Sequence, residues 1–147
     1  MNRLICYAII ILKEYKSEAP QLHYYIGKLD KKIFSCVTSD IQTDEVIITD
    51  ERIQHIKDRH PNDYEKYCGY MERIIQNPDY IVETNKRNTA VILKKIEENG
   101  ESFKLILRIV MKDDPKDYKN SVISFWRVGD TTWKKTLKNK KILYKAE

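Results

Sequence analysis

The sequence predicts an α+β domain, on three observations. Strand-like runs stand on both sides of a short central stretch with helical spacing. The downstream runs are joined by connections short enough for antiparallel neighbours. The 147 residues are 41% apolar with only four glycines and four prolines, which fits one folded unit without a long flexible linker. The chain divides into an N-terminal extension, residues 1–20, whose role is left open, and a domain over residues 21–147.

The elements follow in order. Leu4–Leu12 (LICYAIIIL) is apolar but too short to cross a bilayer as a helix. Arg3 before it imitates a signal peptide, yet no small-residue cleavage site follows, so a buried strand or short helix is expected there. Leu22–Gly27 and Ile33–Thr38 alternate around Asp30-Lys31 and read as an N-terminal β-hairpin. Asp44–Thr49 ends in a β-branched run, and Thr49 or Asp50 then caps a helix with Glu51 in its first turn. That helix must stop near His60, because Pro61 disfavours helical geometry in the residue before it. Asn62 or Asp63 opens a second helix, with Tyr64, Tyr67, Met71, Ile74 and Ile75 on one stripe that ends before Asn77-Pro78. Strands follow at Tyr80–Thr84, Thr89–Ile96, Ser102–Val110 and Ser121–Val128, with Asn99-Gly100 as a tight hairpin between the middle pair. Thr131 or Thr132 caps a short helix, and Lys141–Lys145 closes as an edge strand.

The net charge of +5 is unevenly spread. Residues 1–50 hold six Lys/Arg against seven Asp/Glu, which leaves 21 against 15 in the remainder. Such an excess favours a polyanionic partner and sets no expectation of a membrane. Cys6, Cys36 and Cys68 are odd in number and form no CxxC pair, which points to reduced thiols in the cytoplasm rather than a zinc site or a disulfide framework.

Candidate chemistry centres on Asp50–Pro78, which holds two of the three histidines, His55 and His60, beside Arg52, Lys57 and Arg59. Histidine exchanges protons near neutrality. Helical spacing puts His55 with Arg52 and Arg59 on an outward line and His60 at the end of the inward line of Ile53 and Ile56, where the helix breaks. The residues alone leave open whether His60 reaches a cleft or caps the last carbonyls. No HExxH and no cysteine at ligand spacing accompany the pair, so neither metal nor cofactor is expected. On the strands, Phe103, Leu105, Leu107 and Ile109 share one face, and Lys104, Ile106 and Arg108 the other. Arg108 there needs an acidic side chain or a phosphate as partner. Simple alternation groups Val122, Ser124, Trp126 and Val128, so that Ser124 offers a hydroxyl beside a ring that either packs in the core or stacks a base. Lys94 and Lys95 face opposite sides, with the parities of Asn88 and Thr89. The lysines of 134–145 form either a solvated face or a general attraction for phosphates.

The segments VIITDERIQHIKDRHPNDYEKY, IIQNPDYIVE, NTAVILKK, FKLILRIV, YKNSVISFWRV and LKNKKILYK, between about Tyr25 and Lys145, resemble phage-associated members of the barnase–EndoU–colicin–RelE nuclease superfamily. The resemblance implies two helices packed on a four-stranded antiparallel sheet, here with the N-terminal β-hairpin as an extension. It also implies a metal-independent ribonuclease. Matching positions are His60, His55, Arg108 and Ser124 as catalytic groups, with Arg59, Lys94, Trp126 and Thr89 as substrate contacts. Glu51 is a poor match for a catalytic carboxylate, which shifts proton transfer to histidine. The expected partner is RNA, of transfer or messenger type, together with an inhibitor or immunity protein or a phage structural protein. Two other functions stay in view: a nucleic-acid-binding or phage head-assembly module without turnover, and a RelE-like enzyme that cuts messenger RNA only on the ribosome.

Overall fold

The computed structural model describes residues 22–147. The Leu4–Leu12 run and the extension read over residues 1–20 lie outside the described residues. Seven strands form one mixed sheet: β1 (His23–Lys28), β2 (Glu45–Thr49), β3 (Tyr80–Glu83), β4 (Thr89–Ile96), β5 (Glu101–Arg108), β6 (Asn120–Val128) and β7 (Ile142–Lys145). Their order is β1-β2-β6-β5-β4-β3-β7. The four downstream strands read from the sequence make the antiparallel centre of this sheet. The expected four-stranded antiparallel sheet is corrected to seven mixed strands, because β2 joins β6 in parallel and β7 adds to β3.

The expected hairpin is also redrawn. Residues Lys31–Phe34 form one helical turn, α1, capped by the Asp30 carboxylate accepting from the Lys32 N–H at 2.8 Å. This turn buries Phe34 completely. β1 therefore pairs with β2 rather than with residues 33–38. An alternating apolar pattern fits a single helical turn as well as a short strand, and here the cap decided.

Helix α2 (Asp50–Arg59) starts where the sequence places it. The Thr49 hydroxyl accepts from the Arg52 N–H, and Asp50 and Glu51 sit in the first turn. Ile53 and Ile56 are buried, and the helix stops at His60 before Pro61. The single helix expected over 62–77 is instead α3 (Asp63–Tyr67), a 3₁₀ turn at Cys68–Tyr70 and α4 (Met71–Gln76). Gly69 weakens the helix at the break. The stripe of Tyr64, Tyr67, Met71, Ile74 and Ile75 is buried across both pieces all the same. Helix α5 (Asp130–Asn139) begins after Gly129, so Thr131 and Thr132 lie in its first turn rather than at the cap. Cys36 is a free thiol, whereas Cys68 is disulfide-bonded, which corrects the expectation of three reduced thiols. Spacing along a chain does not say which cysteines meet in space.

The main core lies between one face of the sheet, including Ala90, Ile92, Phe103, Leu105, Leu107 and Phe125, and the elements α1 to α4. The register places Val91, Leu93, Lys104 and Ile106 on the other face. Helix α5 covers one end of that second face: Trp133 meets Tyr80 edge-on at 6.0 Å, and Lys104 Nζ donates to Thr136 Oγ1 at 3.3 Å. The rest of the second face is open.

Two features of β6 shape that opening. Ile106 pairs with Ser124 and Leu107 with Val122, leaving Ile123 as an extra residue in a β-bulge. The bulge sends Val122 into the core, opposite Ser124 and Trp126, and so corrects the face-sharing read by simple alternation. In addition, β2 pairs with β6 only at Val46–Asn120 and Ile47–Ser121. Beyond that point α2 and α3 flank the outer edge of β6, and Asp63 Oδ2 accepts the Arg127 N–H at 3.1 Å.

Asn120 locks this junction. It is fully buried, accepts the Val110 N–H at 2.8 Å and donates to the Thr43 carbonyl at 2.7 Å. Asn120→Ala strands both backbone groups, and the expected loss is about 2–4 kcal/mol of unfolding free energy by urea titration. A loss under about 0.5 kcal/mol in the same titration counts against the lock.

Candidate nucleic-acid-cleaving groove

On the open face, two cavities adjoin and share Ile106 and Ile123 as a common floor. The first, about 400 Å³, has His55, Arg59 and His60 on its helical wall and Ser124 and Trp126 on its strand wall. The second, about 310 Å³, is walled by Arg52, Thr89 and Arg108, with Thr84, Asn85 and Lys86 from the loop between β3 and β4. Four fixed cations and two histidines line the pair, and no carboxylate does. Arg52, Arg59, Lys86 and Arg108 make no ion pair among the described residues, whereas Lys57, Arg73, Lys94, Lys119 and Arg127 each do. The groove is therefore a concave strip of uncompensated positive charge, which raises the local concentration of polyanions.

The helical wall follows from the handover along β6. The chain leaves the sheet at Thr49, forms α2 beside β6 and brings successive turns to the groove. Arg52 belongs to the Arg108 end and His60 to the Trp126 end. Helical spacing assigns the two histidines to different lines, yet both line the first cavity. His60 lies just past the helix, at φ −133° and ψ 72°, and this non-helical residue turns its ring out of the inward line. Its N–H still donates to the Ile56 carbonyl at 2.8 Å, so the residue is anchored while its imidazole is redirected.

The His60 ring stacks on Trp126 with centroids 4.7 Å apart and planes within 5°. Burial pushes its pKa below the ordinary imidazole value, Arg59 and His55 push the same way, and Asp63 opposes them. The neutral form of the ring, which can accept a proton, is favoured by these surroundings. Trp126 also lies 5.7 Å from the Lys104 ammonium, whose pKa is lowered by burial and by Lys140. One face of the indole is thus taken by His60. The Ser124 hydroxyl, beside the bulge, makes no hydrogen bond among the described residues.

Of the residues singled out from the sequence, His55, His60, Arg59, Ser124 and Trp126 come together in one cavity, and Arg108 and Thr89 in its neighbour. Lys94 does not join them. It pairs with Phe103, so its side chain lies on the core side of the sheet, and its ammonium meets Asp79 Oδ1 at 3.1 Å. Thr84, Asn85, Lys86 and the two isoleucines of the floor are additions from the structure, and Arg52, read from the sequence beside the histidines, lines the Arg108 cavity. The polar run Thr84–Asn88 between two strands was the available signal for the loop. That loop is pinned by the Thr84 hydroxyl accepting from the Lys86 N–H and by Asn88 Nδ2 donating to the Ile109 carbonyl. Trp126 sits level with Lys104, four residues from Arg108, so the two ends of the groove are about 13 Å apart along the sheet.

Since burial is the leading cause of the His60 shift, Trp126→Ala is expected to move the imidazole pKa up toward its ordinary value, and Trp126→Phe to move it less. Titration of the His60 ring protons by NMR checks this, and an unmoved midpoint in Trp126→Ala would refute it.

Searches among curated proteins and among solved structures returned no match. A family model did match, described as phage-Barnase-EndoU-ColicinE5/D-RelE like nuclease 2, and it covers residues 25–145, which include every residue of the groove. The chain belongs to this phage-associated nuclease-like family.

Proposed function

We propose that the protein is an endoribonuclease that cleaves by attack of the ribose 2′-hydroxyl, without a metal ion. The observation that carries this reading is the His60 imidazole, stacked on Trp126 in a groove of unpaired cations that has no carboxylate among its lining residues. His60 removes the proton from the 2′-hydroxyl. The resulting alkoxide attacks the adjacent phosphorus in line, forming a 2′,3′-cyclic phosphate as the bond to the departing 5′-oxygen breaks. His55, on the same cavity, protonates that oxygen. Arg59 holds the charge that builds on the phosphoryl oxygens, and Ser124 orients one of them by donating a hydrogen bond. Arg108, with Arg52 and Lys86, holds the phosphates further along the strand, given the separation of about 13 Å. Thr89 offers a hydroxyl to the same stretch.

Positioned proton transfer supplies about 10²–10⁴-fold in rate, and each preorganised donor at the developing charge about 10²–10³-fold. A magnesium ion serving phosphoryl transfer takes carboxylate ligands from its protein. The lining residues offer none, so this reading assigns the neutralising role to guanidinium and ammonium groups. The partner in this reading is RNA.

The test is purified protein with total RNA and with transfer RNA in the presence of EDTA. Cleavage leaving cyclic-phosphate ends is expected. Cutting seen only when ribosomes are added would replace the reading with a ribosome-dependent enzyme, and RNA retardation without cutting would replace it with a binding module. His60→Ala is expected to lower kcat/KM by about 10²–10⁴-fold, and Arg108→Ala to weaken binding with a smaller effect on kcat. Because the His60 pKa is lowered, the active unprotonated form persists below the ordinary imidazole range. The acid limb of the kcat/KM profile should therefore lie under that range in the wild type and vanish from the residual activity of His60→Ala. An acid limb unchanged in that variant would remove His60 from the role of base.

A further inference from the structure

Lys104 lies on the open face of the sheet, yet it lines neither of the two groove cavities. Its ammonium has no ion pair among the described residues. A part-buried ammonium without a counter-charge is costly, so the groups it does meet have to offset that cost.

The first of these groups is on α5, where Thr136 Oγ1 accepts from Lys104 Nζ at 3.3 Å. The Thr136 hydroxyl proton is already given to the Thr132 carbonyl at 2.8 Å, which leaves its oxygen to accept. Thr136 is buried, so it is a fixed anchor. The second group is Trp126, directly opposite on β6, whose ring centroid stands 5.7 Å from the ammonium.

Trp126 is therefore reached from both flanks of its own strand. β5 lies along one edge of β6, and α2 packs along the other. Lys104 comes from the β5 side. His60 comes from the α2 side, with its ring stacked on the indole at 4.7 Å and within 5° of parallel. One chain of contacts thus runs from Thr136 through Lys104 and Trp126 to the imidazole.

We propose that Lys104 is a positioning residue: anchored to α5 by Thr136, it braces the Trp126 indole from the β5 flank and so holds the His60 imidazole in place for proton transfer. Its effect on rate rests on the ribonuclease reading, whereas the bracing itself is read at the His60 ring. A phosphate contact is a different role, and the turn of the ammonium toward Thr136 and away from the cavity linings disfavours it.

The experiment pairs NMR titration of the His60 ring with cleavage of a short single-stranded RNA in EDTA. Lys104→Met keeps the apolar stem and removes the ammonium. It should lower kcat about tenfold, as a small misplacement of a reacting group does, with KM little changed. It should also move the His60 midpoint up toward the ordinary imidazole value. Lys104→Arg, which keeps a cation beside the ring, should restore most of both. Thr136→Val removes only the anchoring hydroxyl and should act in the same direction with a smaller size, so it carries the test should Lys104→Met fail to fold.

Because the brace acts through the indole, adding Lys104→Met to Trp126→Ala should lower kcat no further and leave the midpoint where Trp126→Ala put it. A direct effect of the lysine charge on His60 would instead move the midpoint again, and that result would overturn the brace. So would an unmoved midpoint in Lys104→Met, or a raised KM at unchanged kcat. If the wild type cuts nothing, the nuclease reading fails by itself, and the His60 midpoints of the single and double variants decide.

Discussion

The outer edge of β6 is the constraint on which the rest depends. A strand edge has to be paired or covered, because its amides and carbonyls otherwise face water or a foreign strand. Here β2 pairs for only two residues, and the chain then becomes α2, which continues beside β6 with Asp63 accepting the Arg127 amide. Had β2 continued as a strand, the sheet would simply be longer and flatter, with no wall standing beside its second face. The change from strand to helix raises that wall. One side of α2 carries Ile53 and Ile56 into the core, and its flank carries Arg52, His55 and Arg59 to the groove.

The two faces of the sheet are used differently as a result. The first is sealed by α1 to α4 over completely buried phenylalanines and aliphatic residues, and it supplies the rigidity. The second is closed by α5 only at the Lys104 end. What remains open is floored by Ile106 and Ile123, which are apolar and hold no charge against the cations around them. A floor of this kind excludes competing hydrogen bonds and lowers the local dielectric, so the surrounding arginines act more strongly on a phosphate than they would on a flat surface. The bulge at Ile123 is part of the same arrangement, since it puts Ile123 and Ser124 on the groove side and returns Val122 to the core.

His60 joins these features. Pro61 ends the helix, the backbone leaves helical geometry, and the freed imidazole lands on Trp126. Stacking takes one face of the ring from water, and the nearby cations disfavour adding another charge. The same environment that lowers the imidazole pKa also fixes its direction, which a surface histidine would lack. Family membership and this geometry are separate lines of support. The first concerns the nuclease-like domain as a whole, and the second singles out particular side chains within it.

Much of this was legible without coordinates, for local reasons. Caps, prolines and alternation act over a few residues, so they marked the start of α2 at Thr49, its end before Pro61, the Asn99-Gly100 hairpin and four strands within one or two residues. Charge and residue type singled out His60, Arg108, Ser124 and Trp126. Tertiary structure decided everything that depends on contacts between distant segments. It turned residues 31–34 into a helical turn, because burying Phe34 and capping with Asp30 outweighed a weak strand pattern. It paired β1 with β2, broke the second helix at Gly69 and placed Lys94 on the core side of the sheet with Asp79. It also brought His55 into the same cavity as His60 against the helical spacing. A one-residue bulge and a single non-helical φ/ψ pair re-aim side chains without leaving a mark in composition or period. Those two details determine which side chains meet in the groove.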